Sequence, residues 1–295
     1  MKKVLNFFII CAVALFAACN QTDSNNPENP DSGTNSGNPT DSVNDGNSEK
    51  LPVVEFSVSS TKKVLFAPGN LQYHLKNKQW RFAPNQFDYI GDKNINRTPS
   101  SSYVAWLDLF SWSTSATNFG VTMYPNSWDC KGDFIDWGRN KIGDDAPNTW
   151  RTLTKDEWEY IRYDRTNAID LFGVARVNNV NGLILLPDNW SCPKGVTFKP
   201  AFHSDSWKDN KSYSIEEWSV LEASGAIFLP AAGVLCADMN HDDPYLEGQG
   251  GGFYWSSTAI NRNDLSYYFC FWSGWGDIDS WYMKSGYSVR LVKDL

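Results

Sequence analysis

Trp150-Arg151-Thr152-Leu153-Thr154-Lys155-Asp156-Glu157-Trp158-Glu159-Tyr160 contains a complete helix start. Threonine followed three residues later by glutamate predicts a capping box: the Thr154 hydroxyl accepts from the Glu157 amide, and the Glu157 carboxylate accepts from the Thr154 amide. Leu153 and Trp158 stand at the hydrophobic-staple positions on either side of the cap. The arrangement recurs at Tyr213-Ser214-Ile215-Glu216-Glu217-Trp218, and Gly225 then offers the left-handed residue that stops a helix. Two short helices are expected.

Each helix is followed by an apolar run ended by proline, Gly182-Leu183-Ile184-Leu185-Leu186-Pro187 and Gly225-Ala226-Ile227-Phe228-Leu229-Pro230. Apolar residues on both faces of so short a run predict fully buried strands. Upstream, Leu71, Tyr73 and Leu75 alternate before Asn77-Lys78, and Trp80 and Phe82 alternate after it, so Val64 to Ala83 reads as paired strands closed by a hairpin. Three more strands are expected at Gly252 to Ser257, Ser266 to Trp272 and Tyr287 to Val292. The order is α+β, with short antiparallel strands, two short helices and long irregular loops.

Several of these segments resemble known families. The stretch from Trp150 to Tyr160 is similar to the helix start of the formylglycine-generating enzyme family. Tyr254-Trp255-Ser256-Ser257-Thr258 and Gly286-Tyr287-Ser288-Val289-Arg290-Leu291-Val292 resemble signatures of the FISUMP group of bacterial lipoprotein domains, and Phe66-Ala67-Pro68-Gly69-Asn70-Leu71-Gln72-Tyr73 resembles N-terminal blocks of such lipoproteins. The resemblance implies a C-type lectin-like fold over residues 51–295. It does not carry oxidase chemistry with it. Formylglycine-generating enzymes hold copper with two cysteines, whose matching positions here are Trp255 and Ile260, and neither side chain offers the soft thiolate that copper(I) requires.

No other pattern supplies catalysis. The chain has no G-x-S-x-G elbow, no H-E-x-x-H and no phosphate-binding glycine loop, so it is read as a non-enzyme. The calcium-binding triplets of sugar-binding C-type lectins are also missing: Leu186-Pro187-Asp188-Asn189-Trp190 keeps only the Pro-Asp pair. Asp238, Asn240 and Asp242 alternate oxygen ligands as an EF-hand loop begins, but Asp243 replaces the turn glycine and Gln249 the bidentate glutamate. A polar surface loop is the expectation there, and no cofactor, with calcium held by Asp238, Asn240 and Asp242 as the alternative.

The first residues concern location. Met1-Lys2-Lys3 precedes an apolar run from Val4 to Phe16 that is too short to span a bilayer as a helix, as in a secretory signal. It ends Leu15-Phe16-Ala17-Ala18-Cys19, which resembles the lipobox cleaved by bacterial signal peptidase II. On that reading residues 1–18 are a lipoprotein signal peptide and Cys19 becomes the lipidated N-terminus of an outer-membrane or cell-surface protein. Residues 19–50 follow as a tether. From Asn20 to Lys50 the only aliphatic side chain is Val43, and such a segment buries too little apolar surface to offset its ordering entropy. Within it, Asp41-Ser42-Val43 resembles a short bacterial O-glycosylation acceptor.

Among 295 residues, 34 acidic against 26 basic side chains give a net charge of -8. That balance leaves no footprint for a phosphate backbone, so nucleic acid is not an expected partner. The expected partners are the membrane, through the lipid, and a glycan or an envelope protein. A structural or adhesion component assembling with other envelope proteins is the alternative. Beyond Cys11 and Cys19 the cysteines are Cys130, Cys192, Cys236 and Cys270, which lack zinc-ligand spacing and leave disulfides or buried thiols both open.

The aromatic surplus bears on the ligand, with 14 Trp, 13 Tyr and 17 Phe. Trp80, Trp158, Trp218 and Trp255 lie inside periodic elements and are expected in the core. Phe271-Trp272-Ser273-Gly274-Trp275-Gly276-Asp277-Ile278-Asp279-Ser280-Trp281-Tyr282 differs, because small, polar and aromatic residues interleave there between two expected strands. Trp275 is placed at a hairpin tip, where flanking glycines would let the ring point outward. Trp272, Trp275, Asp277, Asp279 and Trp281 are the candidate ligand-binding residues.

Overall fold

A computed structural model describes residues 54–95, 105–122, 130, 132–202, 204–236, 245–247, 250–260 and 264–295. Both capping boxes form. Glu157 N donates to Thr154 Oγ1 at 3.2 Å while Thr154 N donates to Glu157 Oε2 at 2.9 Å. At the second start the corresponding distances are 3.2 Å and 3.0 Å, between Ser214 and Glu217. Gly225, at φ +96°, closes the second helix: its amide bonds Glu222 O and the Ala226 amide bonds Leu221 O, the two-bond stop of a Schellman motif.

In chain order the strands begin β1 (Phe56–Ser57), β2 (Lys63–Phe66), β3 (Leu71–His74), β4 (Gln79–Phe82), β5 (Trp106–Leu107) and β6 (Arg151–Thr152). Helix α1 (Lys155–Glu159) follows, prolonged by a π-helical turn at Tyr160–Asp164, and then β7 (Phe172–Val177), β8 (Val180–Leu185), β9 (Lys211–Tyr213) and α2 (Ile215–Ala223). The chain continues through β10 (Ile227–Pro230), β11 (Val234–Cys236), β12 (Tyr245–Glu247), β13 (Gly252–Ala259), β14 (Leu265–Phe271), β15 (Gly276–Tyr282) and β16 (Leu291–Asp294). Few helices and many short strands make the unit Leu51–Leu295 a mixed α+β structure.

The strands form several small sheets, ordered β1-β2-β16-β6, β10-β8-β7-β9, β13-β14-β15 and β4-β3-β5, with β11 and β12 as a pair. The β3–β4 hairpin matches the expectation, with Tyr73 opposite Trp80 and Lys78 in the left-handed region at φ +54°. Val64 to Phe66, however, leaves that hairpin and pairs with β16. The two proline-ended runs lie side by side, Ile227 opposite Leu185, and β10 is buried throughout.

Of the eight strands that the sequence reading did not place, β1, β5, β6, β9, β11 and β12 are only two or three residues long, and two are longer. β7 escapes the periodicity test because Gly173 and Arg176 interrupt its apolar run; a β-carbon at Gly173 would lie 2.4 Å from Lys199 O, so the gap in the pattern is a packing requirement. β15 is the second, inside the segment read as irregular. The last strand also begins later than expected. Tyr287 and Ser288 make single bridges to Phe110 and Tyr254, and the regular ladder starts at Leu291.

The four expected core tryptophans are all buried, among them Trp158, stacked 5.0 Å from Phe269, and Trp218, edge-on to Phe228. All four cysteines of this unit are thiols, so of the two readings that the sequence left open the structure has the one without disulfides. Burial pushes the Cys270 thiol well above its ordinary range, which leaves it protonated and unreactive.

The sequence blocks that carry the family resemblance converge in the interior. Arg151 pairs with Val292, Ser257 N donates to Leu153 O, and Trp255 N donates to Ser288 O. The Tyr254 hydroxyl donates to Pro230 O and accepts from Asn70 Nδ2. At their junction lies Arg290, 1% exposed. Its guanidinium donates to Asn70 Oδ1, Ala67 O, Gln86 Oε1 and Phe228 O, so a single side chain ties the 67–70 and 86 loops, β10 and the final strand. These motifs hold the structure together and are not a surface for a ligand.

Candidate ligand-binding surface

β14 and β15 are seven residues each and pair from Leu265–Tyr282 to Phe271–Gly276. The intervening Trp272-Ser273-Gly274-Trp275 is closed by a 2.7 Å bond from Trp272 N to Trp275 O, so Trp275 does lie at a hairpin tip. From the core outward runs a column of rings. Tyr287 stacks on Phe253 at 5.4 Å, Phe253 meets Trp272 edge-on at 5.0 Å, and Trp272 stacks on Trp275 at 4.4 Å with 21° between planes. Trp272 is half-buried and serves as the support; Trp275 is the outermost ring, 45% exposed.

The reason for the flanking glycines differs from the one expected. Neither Gly274 nor Gly276 has a positive φ. Each is required by close approach instead: a β-carbon at Gly274 would sit 2.2 Å from Asp205 Oδ1, and one at Gly276 2.7 Å from the Phe202 ring. Phe202 and Asp205 thus pack against the hairpin.

Along β15 the side chains alternate, and Asp277, Asp279 and Trp281 face solvent. β15 is the edge of its sheet, and its outward amides are occupied. The Trp272–Trp275 bond sets the parity of the ladder so that the amides of Ile278 and Ser280 point away from β14. Asp277 Oδ1 accepts from Ile278 N, and Asp279 Oδ1 from Ser280 N, both at 2.7 Å. The two carboxylates proposed to meet ligand hydroxyls are therefore held rigidly, and they also mask an edge that could otherwise recruit another strand.

Sequence reasoning missed Tyr163 and Arg162. Tyr163, 48% exposed, donates its hydroxyl to Asp277 Oδ1 at 2.7 Å across 114 positions of sequence. Partial burial, and then Asp277 itself, push the phenol up to about 12. The π-helical turn after α1 delivers it, closed by Arg165 N donating to Tyr160 O and anchored by the buried Arg165 side chain on Ile161 O, Leu186 O and Leu171 O. Arg162 lies over the Phe172 ring at 4.2 Å and beside Tyr163 at 4.6 Å. No local motif announces a π turn, so no signal in the sequence could have joined these residues to the hairpin.

Trp272, Trp275, Asp277, Asp279 and Trp281 thus share one hairpin, joined by Tyr163. Trp281, 51% exposed, meets Tyr282 edge-on at 5.4 Å. Exposed rings beside carboxylates held as acceptors suit a ligand with apolar faces and many hydroxyls. Elsewhere, Asp238, Asn240 and Asp242 lie outside the described residues, as do Cys19 and the tether. Among the described residues no group of three or more His, Cys, Asp or Glu could hold a metal ion, and no helix is long and apolar enough to cross a membrane. Trp255 is buried with its Nε1 donating to Phe110 O at 2.7 Å, and Ile260 N bonds Leu265 O at the β13–β14 connection. Compared with known proteins, the chain matches no family model, no curated protein and no solved structure.

Proposed function

We propose that this protein is a lipid-anchored bacterial envelope protein whose folded unit, C-type lectin-like in architecture, binds a glycan without catalysis through the β14–β15 hairpin. One observation carries the reading: the aromatic column ends in the half-exposed Trp275, flanked by Asp277, Asp279 and Trp281 along the strand. The rings are fixed before any ligand arrives, which lowers the ordering cost of binding. The fold assignment rests on the four sequence blocks, and the mixed α+β order of short strands agrees with it at the coarser level. The surface location rests on the segment ending at Cys19.

The test is a glycan array with the full chain and its Trp275→Ala variant. The variant loses on the order of 1–3 kcal/mol of binding, the scale of aromatic stacking on other ring ligands. Its stability falls by no more than the ring stack contributes, about 0.5–1.5 kcal/mol. Silence across the array, with an envelope protein retained by the same surface, would replace the glycan reading by an assembly role.

A further inference from the structure

We infer that a second groove, lined by Lys78, Arg81, Trp106, Lys141 and Asp144, binds a carboxylate-bearing polysaccharide. It shares no residue with the β14–β15 hairpin and does not rest on the reading of that surface. The groove is an open cavity of about 420 Å³ between β4 and the 141–144 turn, with Trp80 and Gln79 also in its wall. Its sign opposes that of the chain, which carries a net charge of -8: three cations stand there against the single carboxylate of Asp144. Among the described residues none of the three makes an ion pair, and the carboxylate acting on Arg81 at longer range is that of Asp88. Cations in excess of carboxylates, gathered in one concavity of an acidic protein, concentrate anions there.

Arg81 is the organising residue. Its guanidinium lies 3.7 Å over the Trp106 ring, and its Nε donates to Gln72 Oε1 at 2.9 Å. One face and one edge of the fork are thereby fixed, and the two terminal nitrogens remain to donate in parallel to a carboxylate. Gln72 is buried and sits opposite Arg81 in the β3–β4 ladder, so the orientation is set by the hairpin itself. Lys78 and Lys141 are exposed and add charge without fixed geometry.

An open groove holds a segment of a chain better than it encloses a small molecule. Asp144 and Gln79 select among polyanionic chains. They offer acceptors that the many hydroxyls of a sugar can satisfy, whereas a polyphosphate has no donors and a polyglutamate only its main-chain amides, so each compensates the Asp144 charge less.

The experiment is a titration of the full chain with polygalacturonate, with fully methyl-esterified polygalacturonate and with polyglutamate. Polygalacturonate binds, and its affinity falls as salt is raised; the esterified polymer and polyglutamate bind at least tenfold more weakly. Arg81→Lys keeps the charge but loses the fork and weakens binding about tenfold, the exposed Lys141→Gln weakens it several-fold, and Lys194→Gln, exposed and outside the groove, leaves it unchanged. Absence of polygalacturonate binding, equal binding of polyglutamate, or affinity indifferent to both Arg81→Lys and Lys141→Gln overturns the inference.

Discussion

Replacing Arg290 by methionine measures how far the structure depends on one buried cation. The side chain is 1% exposed, and its donors serve Asn70 Oδ1 and Ala67 O at 3.0 Å, Phe228 O at 2.6 Å and Gln86 Oε1 at 3.4 Å. Burial presses the guanidinium below its ordinary range, a sign that its own desolvation opposes folding. Methionine relieves that cost and fills similar volume, and Gln86 Oε1 still accepts from Phe228 N, but Asn70 Oδ1, Ala67 O and Phe228 O each lose a donor, at about 1–3 kcal/mol apiece. Several acceptors at that cost together exceed the desolvation that methionine relieves, so the net loss is about 3–5 kcal/mol. At about 2–4 °C per kcal/mol for a domain of this size, the melting temperature falls by about 10 °C. Urea unfolding followed by tryptophan fluorescence reads the difference directly. Arg290→Lys retains the charge and part of the donor set and falls between the two. A methionine variant within 1 kcal/mol of the parent chain would refute the account of Arg290 as the junction of the sequence blocks.

Thr154→Ala and Ser214→Ala each lose about 1 kcal/mol in the same unfolding assay, because each removes the acceptor of a first-turn amide; no loss at either site would contradict the capping geometry. Asp277→Ala combined with Asp279→Ala uncovers the outward amides of β15, and sedimentation then gives a higher mass than for the parent chain at equal concentration. The Asp277→Asn, Asp279→Asn pair keeps an acceptor oxygen at each site and stays at the parent mass; identical sedimentation of all three proteins would sink the edge-masking role. For the proposed anchor, Cys19→Ala abolishes incorporation of labelled fatty acid, and continued labelling in the membrane fraction would disprove lipidation at that residue.

What the sequence by itself determined is local. Thr154–Glu157 and Ser214–Glu217 are three residues apart, so the chemistry of each helix start is complete within one turn. The β3–β4 hairpin and the Trp272–Trp275 tip are similarly short-range, and the apolar runs of β8 and β10 announce burial because nothing else accommodates four consecutive apolar side chains. The candidate residues of the β14–β15 hairpin were legible for the same reason: Trp275 stands between turn residues, and Asp277, Asp279 and Trp281 fall on one face once the segment is extended.

Tertiary structure decided the rest. That the segment is extended at all follows from β14, whose seven-residue register draws Gly276–Tyr282 into a strand that its Asp-rich sequence does not favour by itself. Gly274 and Gly276 look like turn glycines in sequence, yet it is Asp205 and Phe202, about 70 positions earlier, that require them. Tyr163 reaches Asp277 across 114 positions, and Arg290 reaches Asn70 across 220. A hydrogen bond of that span depends on where two distant backbones come to rest, and that position is fixed by the packing of the whole core rather than by any pattern in the neighbouring residues.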